Sequence, residues 1–486
     1  MIDAMWIDDD QCYQALRTRD VRFDGRFFVA VSSTGVYCRP VCPARLPKRE
    51  NCRFFASAAA AESEGYRPCL RCRPELAPGD ASVDANRRLA RQAAEYLDLG
   101  AGDTESLAAL AERLGVTDRH LRRVFHAEFG VAPVEYAQTR RLLLARRLLR
   151  DTGLTITEVA LAAGFNSLRR FNTLFRGRYG QPPSTWRRAA SRRRPGDGEL
   201  VFHLSYRPPF DWEALRDFLA ARAIPGVEGM EQGQYRRTAL IRRGDRVHRG
   251  WLAVAPGPRN GLTVTLSESL APVVPEVLVR LRRLFDLDAQ PSLVAERLGP
   301  LAAARPGLRV PGAFDGFEAA VRAVLGQQIT VKAARTLAGR VAASLGEPLD
   351  TPFEDLTTTF PEAAVVAAAE AETLGLLGII RARVKAIQAL ATACAEDPML
   401  LSPAADVERT LTQLKALPGI GDWTAQYLAM RALSWPDAFP AADLGVLKAL
   451  GETSAVTVRR RAEAWRPWRA YAVMHLWFSG QENKTP

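Results

Sequence analysis

The sequence predicts a multidomain α+β protein in which helical and strand-rich blocks follow one another, and three observations predict it. The chain has 486 residues, well beyond the ~250–300 at which a single hydrophobic core stops growing. Two stretches rich in breakers and without apolar periodicity, 74–84 (PELAPGDASVD) and 192–199 (RRRPGDGE), divide it. The apolar period also changes from block to block, from helical to alternating and back to helical. These features place domains at 1–78, 82–192, 199–290 and 291–482.

In the first block, a small α/β module, four of the chain's seven cysteines crowd into residues 38–72. The second block is all-α: RRLARQAAEYL, SLAALAERL, VEYAQTRRLLLARRLL and ITEVALAAGF carry apolar residues at three- and four-residue spacing. The third block is antiparallel and β-rich, with VFHLSY, TALIR, GWLAVAPG and GLTVTL separated by Gly and Pro. The fourth returns to helices, including Ala-rich stretches at 318–344 and 364–397. No short-period repeat interrupts the pattern.

Composition narrows the function classes. Hydrophobic residues make up 47% of the chain, and no uncharged run approaches the ~20 residues of a membrane helix. The N-terminus, MIDAMWIDDDQ, is acidic where a secretory signal is basic and then apolar. A cytoplasmic, nucleoid-associated protein without a membrane partner is expected. Lys and Arg number 66 against 54 Asp and Glu, and the net charge of +12 suits a polyanionic partner without identifying one. An odd cysteine count in such a chain argues against a disulfide framework.

Cys38 and Cys42 are spaced C-x3-C, Cys69 and Cys72 C-x2-C, with 26 residues between the pairs. Such paired thiolates converge on one tetrahedral Zn²⁺; Cys12 and Cys52 lack a paired neighbour and read as structural thiols. STGVYCRPVCPAR followed by GYRPCLRCRP resembles the methyl-phosphotriester zinc domain of the Ada family. That resemblance implies that Cys38, while a zinc ligand, also accepts a methyl group from a DNA phosphotriester, and that Thr34, Arg45 and Arg67 face the DNA backbone. Methylation would remove one negative charge and raise DNA affinity.

In SLAALAERLGVTDRHLRRVFHAEFG, Gly115 ends one helix and the Thr117 hydroxyl can cap the next. The layout recurs in ITEVALAAGFNSLRRFNTLFRGRYGQPPSTWRR, with Gly164 in the turn and Ser167 as cap. Together they resemble the tandem helix-turn-helix domain of AraC-type activators. His120, Arg122 and Arg123, and Asn166, Ser167, Arg169 and Arg170, are then candidates for base or phosphate contact. Leu121, Phe125, Phe171 and Phe175 are core. An activator of this kind implies RNA polymerase as a partner.

In LKALPGIGDWTAQYLAMRAL a tight hairpin leads into a helix. Gly419 and Gly421 let backbone amides approach a DNA phosphate, and hairpin carbonyls can hold a monovalent cation. Asp443, in FPAADLG, follows Gly421 by 22 residues. LPGIGDWTA resembles the helix-hairpin-helix glycosylase superfamily, and that resemblance implies that Asp443 is the catalytic aspartate; Asp437 reads as a cap or turn residue. Breaking an N-glycosidic bond builds positive charge on the sugar, which a carboxylate stabilises. Trp423 and Tyr427, one helical turn apart, match pocket aromatics of the AlkA family. FEAAVRAVLGQQITVKAARTLAGRV resembles that family's gap-filling helix–loop–helix, with Gln327 and Gln328 in place of a leucine wedge.

Trp423 stands where lyase members carry a Schiff-base lysine, so a monofunctional glycosylase is expected. Cys394 alone lies beyond residue 72, too few thiols for an iron–sulfur cluster. It does not sit in the Pro-Cys-His-Arg motif that O6-methylguanine reversal requires.

The whole chain thus resembles a fusion: an Ada zinc module, an AraC-type domain, an AlkA N-terminal-like β domain and an α-helical glycosylase domain. The implied protein is a monomeric DNA-3-methyladenine glycosylase II with a suicidal methyl acceptor, acting on double-stranded DNA. The alternative is a methylation-triggered activator with a weak or vestigial glycosylase half.

Overall fold

The computed structural model describes residues 9–19, 24, 27–55, 58–74, 85–98, 106–151, 154–190, 199–243, 246–403, 405 and 407–482. The N-terminal residues 1–8 and nearly all of both breaker-rich stretches lie outside them. Two compact units divide the chain, one within 1–93 and 111–132, the other within 94–110 and 133–486.

In the first unit a four-stranded sheet runs in the order Cys52–Phe55, Phe28–Val31, Val36–Cys38, Arg67–Pro68. Its last pairing is parallel and brings Arg67–Pro68 beside Val36 and Tyr37. The two cysteine pairs therefore meet, because Cys38 ends one strand and Cys69 follows the strand laid next to it. Tyr37 is fully buried and its hydroxyl donates to Glu62 at 2.7 Å. The same unit holds the helix Asp118–Phe129, capped by the Thr117 hydroxyl, which accepts from the His120 amide, and closed by Gly130 at φ 71.

From residue 133 the second unit runs through the helices Pro133–Asp151, Ile156–Ala162, Leu168–Tyr179 and Pro183–Ala190. Thr155 and Glu158 form a capping box at the second of these, and Ser167 caps the third. Gly164 turns the chain between them at φ 83, a left-handed conformation that glycine adopts without strain. Phe171 and Phe175 are fully buried, as expected of core positions.

A five-stranded antiparallel sheet follows, in the order Glu199–Ser205, Gly261–Ser267, Arg246–Gly257, Gln234–Arg243, Glu228–Glu231. Its first connection is the helix Trp212–Ala220, capped by Asp211. The alternating apolar pattern of this block predicts strands and no helix there, and Phe218 on this helix and Arg222 just past its end line the site. Buried ion pairs fasten the sheet to the helix Gly316–Leu325: Arg237 to Glu318 at 2.6 Å and Arg322 to Glu228 at 2.8 Å. Removing one partner of such a pair strands a buried charge, at a cost of about 3–5 kcal/mol.

Helix Asp422–Arg431 packs against Gly316–Leu325 and Val407–Ala416, and its Thr424, Ala425, Leu428, Ala429 and Met430 are buried. Asp437 lies in a turn, as expected, and is also a buried ion-pair anchor. It accepts from Arg466 at 2.7 Å and Arg469 at 2.8 Å. The C-terminal helix Arg469–Glu482 carries Trp477 to the site.

Candidate functional site

A cavity of about 400 Å³ opens between the sheet-bearing half and the helical half of the second unit. Phe218 and Arg222 come from the sheet side, Trp423 and Tyr427 from helix Asp422–Arg431, and Trp477 from the C-terminal helix. Trp423 and Tyr427 stack at 5.3 Å and 15°, as their one-turn spacing implies. Trp477 stacks on Phe218 at 6.2 Å and 11°. Flat π faces of this kind bind an electron-poor ring.

Asp443 also lines the cavity. It caps helix Leu444–Leu450, its Oδ1 accepting from the Val446 amide at 3.0 Å. The indole of Trp477 donates to the same oxygen at 2.8 Å, and that of Trp423 to Oδ2 at 2.9 Å. Three N–H donors thus aim the carboxylate into the cavity. Sequence reading found Asp443, Trp423 and Tyr427 but missed Trp477, Phe218 and Arg222. Only the aromatic pair in YAVMHLWFSG hinted at Trp477, and nothing local marked the other two.

The cavity floor is electropositive. The Arg222 guanidinium lies 3.7 Å over the Phe218 ring, and burial, aided by Arg431 and Arg322, lowers it to about 10. Burial pushes the Tyr427 phenol up, but Arg431, Arg222 and Arg322 outweigh it and the net shift is downward. Arg431 donates to the Tyr427 hydroxyl at 2.9 Å.

Beside the cavity stands the hairpin. Gly419 sits at φ 76, and a Cβ there would lie 2.9 Å from Ala386 Cβ, so the turn requires glycine. Gly421 faces open space within 4 Å. The fold makes no demand for glycine at 421, which leaves its bare backbone open to an external group. Of the hairpin carbonyls, Gly419 O accepts from the Gln327 amide and Leu417 O from Ile420 N. Gln327 is therefore turned inward, toward the protein, while Gln328 is exposed at φ 56.

In the first unit the Sγ atoms of Cys38, Cys42, Cys69 and Cys72 all lie within 4.8 Å of one another. Tetrahedral zinc with ~2.3 Å bonds sets sulfurs about 3.8 Å apart, so these four fit it. Hydrogen bonds from Cys38 and then Cys72 hold the Cys42 thiol well below its ordinary range, while the Cys38 thiol is raised by its bonds to those same two. Backbone amides reach two of the sulfurs: Arg39 N donates to Cys72 at 3.4 Å, and Ala44 N to Cys42. Buried Arg39 pairs with Asp24, fixing the residue after Cys38. Thr34, Arg45 and Arg67 are exposed on this module. Cys12 and Cys52 are buried, and Cys52 donates to Lys48 O at 3.3 Å.

On helix Asp118–Phe129, Arg122 and Arg123 are exposed and His120 half-buried. Arg122 pairs with Asp118 at 2.9 Å and Arg123 with His120 Nδ1 at 2.9 Å. Asn166, Ser167, Arg169 and Arg170 are exposed at the start of helix Leu168–Tyr179, where a helix-turn-helix presents side chains to a groove.

Fold and sites together define a helix-hairpin-helix glycosylase joined to a four-cysteine zinc module and paired helix-turn-helix units. Family models match in the same order: the metal binding domain of Ada at 11–75, a helix-turn-helix domain at 110–189, the AlkA N-terminal domain at 201–315, and the HhH-GPD superfamily of base excision DNA repair proteins at 321–469. The chain is 39% identical over 485 residues to the "probable bifunctional transcriptional activator/DNA repair enzyme AlkA" of Mycobacterium tuberculosis, covering 97% of this chain and 96% of that one. It belongs to that family of bifunctional activator and repair proteins. It is also 39% identical over 280 residues to DNA-3-methyladenine glycosylase 2 of Escherichia coli, covering 57% of this chain and 97% of that one. The 3-methyladenine DNA-glycosylase from Archaeoglobus fulgidus shares the fold, with TM-score 0.51 and 22% identity over 58% of this chain and all of that one.

Proposed function

We propose that the chain hydrolyses the N-glycosidic bond of alkylated bases of the 3-methyladenine type in double-stranded DNA, and accepts a methyl group from DNA phosphotriesters on Cys38. The observation that carries the first activity is Asp443, aimed by Trp423 and Trp477 into the aromatic cavity. An extruded alkylpurine is cationic and stacks between the rings. As the C1′–N bond breaks, the base leaves with the bond pair and becomes neutral. The sugar takes up positive charge, which the Asp443 carboxylate stabilises, and water adds to C1′ and gives up a proton. With Trp423 where a lysine would be needed, the product is an abasic site in an uncut strand.

In the second activity the Cys38 sulfur attacks the methyl carbon. The S–CH₃ bond forms, the O–CH₃ bond breaks, and the phosphodiester leaves as an anion. Zinc, when bound, keeps the cysteine sulfurs as thiolates. Loss of one negative charge favours DNA, so the helix-turn-helix candidates His120, Arg122, Arg123, Asn166, Ser167, Arg169 and Arg170 hold promoter sites more tightly and RNA polymerase is recruited. Thr34, Arg45, Arg67, Gly419 and Gly421 contact the backbone. In this reading the protein works as a monomer in the cytoplasm; among the described residues no helix is long and apolar enough to cross a membrane.

One experiment tests both. Purified protein is incubated with methylated DNA; released bases and tryptic peptides are identified by mass. Free 3-methyladenine and a methylated Cys38 peptide are expected. No released base refutes the glycosylase reading, and methyl on another cysteine refutes the assignment of Cys38.

A further inference from the structure

The loop between helices Gly316–Leu325 and Val331–Leu345 is stitched to the hairpin by one residue. Gln327 Nε2 donates to Gly419 O at 3.0 Å and to Thr424 Oγ1 at 3.0 Å. The first acceptor belongs to the hairpin, the second to the helix that carries Trp423 and Tyr427. The carbonyl of the same Gln327 accepts from Arg383, on helix Arg381–Glu396. Gln327 therefore ties three elements at one point.

The next residue shows what the ties hold. Gln328 is exposed and left-handed at φ 56. A non-glycine residue keeps that conformation only where its surroundings over-determine it, at a cost of about 1 kcal/mol or more. An exposed side chain supplies no such restraint itself; the fixed side chain and carbonyl of Gln327 do.

We propose that Gln327 is a positioning residue that locks the gap-filling loop to the hairpin and the pocket helix, so that Gln328 is presented to the duplex in one fixed conformation. The phosphate-gripping turn, the wedge and the aromatic pocket then move as one frame. A glutamine wedge unstacks bases less well than an apolar one, and fixing it lowers the entropy lost on insertion. Gln327 acts through Gln328 and touches no reacting atom. Its effect belongs to extrusion of the base, not to bond cleavage.

This inference rests on the glycosylase reading, and the test separates the two. Gln327→Met keeps the length and removes both donors; Gln327→Glu sets a carboxylate against a carbonyl and serves if the first variant folds poorly. Arg383→Met removes the third tie. Single-turnover excision is measured on two duplexes carrying one N7-methylguanine, opposite cytosine or opposite an abasic analogue that leaves the lesion unpaired. The paired-to-unpaired rate ratio is expected to fall about tenfold in the Gln327 variants, as for about two lost hydrogen bonds, and severalfold in Arg383→Met. A neighbouring 2-aminopurine should show less unstacking. If both rates fall together, or the ratio holds at its wild-type value, the inference is wrong while the glycosylase reading stands. If wild-type protein excises from neither duplex and also releases no 3-methyladenine from methylated DNA, the glycosylase reading fails as well.

Discussion

Replacing Asp443 by Asn separates chemistry from folding, and the structure sets both magnitudes. Oδ1 accepts from Val446 N and Trp477 Nε1, and Oδ2 from Trp423 Nε1 alone. The asparagine carbonyl therefore takes the Oδ1 position and keeps two bonds, while its NH₂ meets the Trp423 indole donor. Asn caps a helix as well as Asp does, so the stability loss is one mismatched contact, about 1–2 kcal/mol. The chemical loss is larger. A unit charge ~4 Å from another is worth about 4 kcal/mol at an effective dielectric of ~20. The oxocarbenium carries most of such a charge, so the barrier rises by about 3–4 kcal/mol and the rate falls about 10²–10³-fold. The assay is single-turnover release of methylated base at saturating enzyme, beside melting of the protein and its affinity for duplex with an abasic analogue. Affinity should hold or tighten, because a negative charge facing DNA is gone. A folded Asp443→Asn protein that retains a rate within about tenfold of wild type would refute the electrostatic role argued for this carboxylate.

Trp477→Phe keeps a ring against Phe218 and removes the 2.8 Å bond to Asp443. The excision rate should drop about tenfold with little change in Tm, whereas an unchanged rate would reduce Trp477 to cavity wall. Gly419→Ala forces φ 76 on an L-residue and crowds Ala386, so melting should show a loss of about 1–3 kcal/mol. Gly421→Ala meets open space; its Tm should stand while affinity for duplex DNA falls severalfold, and intact affinity would remove Gly421 from the DNA contact. Asp286 is lifted to about 7 by burial, against the Tyr471 hydrogen bond and Arg309. Its folded value exceeds the ~3.9 of an unfolded chain, so the folded carboxyl binds its proton first, and stability rises as pH falls from about 7 toward 4. Asp286→Asn, at φ 49 where Asn is at ease, should flatten that slope and stabilise the protein at pH 8 by about 2–4 kcal/mol in denaturant unfolding. A slope that persists in the variant would assign it to other groups.

Local sequence determined the elements whose chemistry is written in short spacings. Cys38, Cys42, Cys69 and Cys72, the Thr117 and Ser167 caps, the Gly115 and Gly164 turns, and the LPGIG hairpin all depend on residues a few positions apart. Trp423 and Tyr427 were legible because 3.6-residue periodicity alone puts them on one face. Tertiary structure decided what depends on residues far apart in the chain. Phe218, on a helix that the strand-like surroundings concealed, and Trp477, 259 positions later, close the cavity from opposite halves. Asp437 is the turn residue its sequence suggests, but only the fold sets Arg466 and Arg469 against it. Gln327 reads locally as a DNA contact, and only the fold shows Gly419 O and Thr424 Oγ1 within reach of its side chain. Side-chain partners dozens or hundreds of positions apart leave no periodic trace, because the contact is created by packing rather than by backbone geometry. The sequence thus determined which groups can act; the packed structure decided how they are aimed and what holds them.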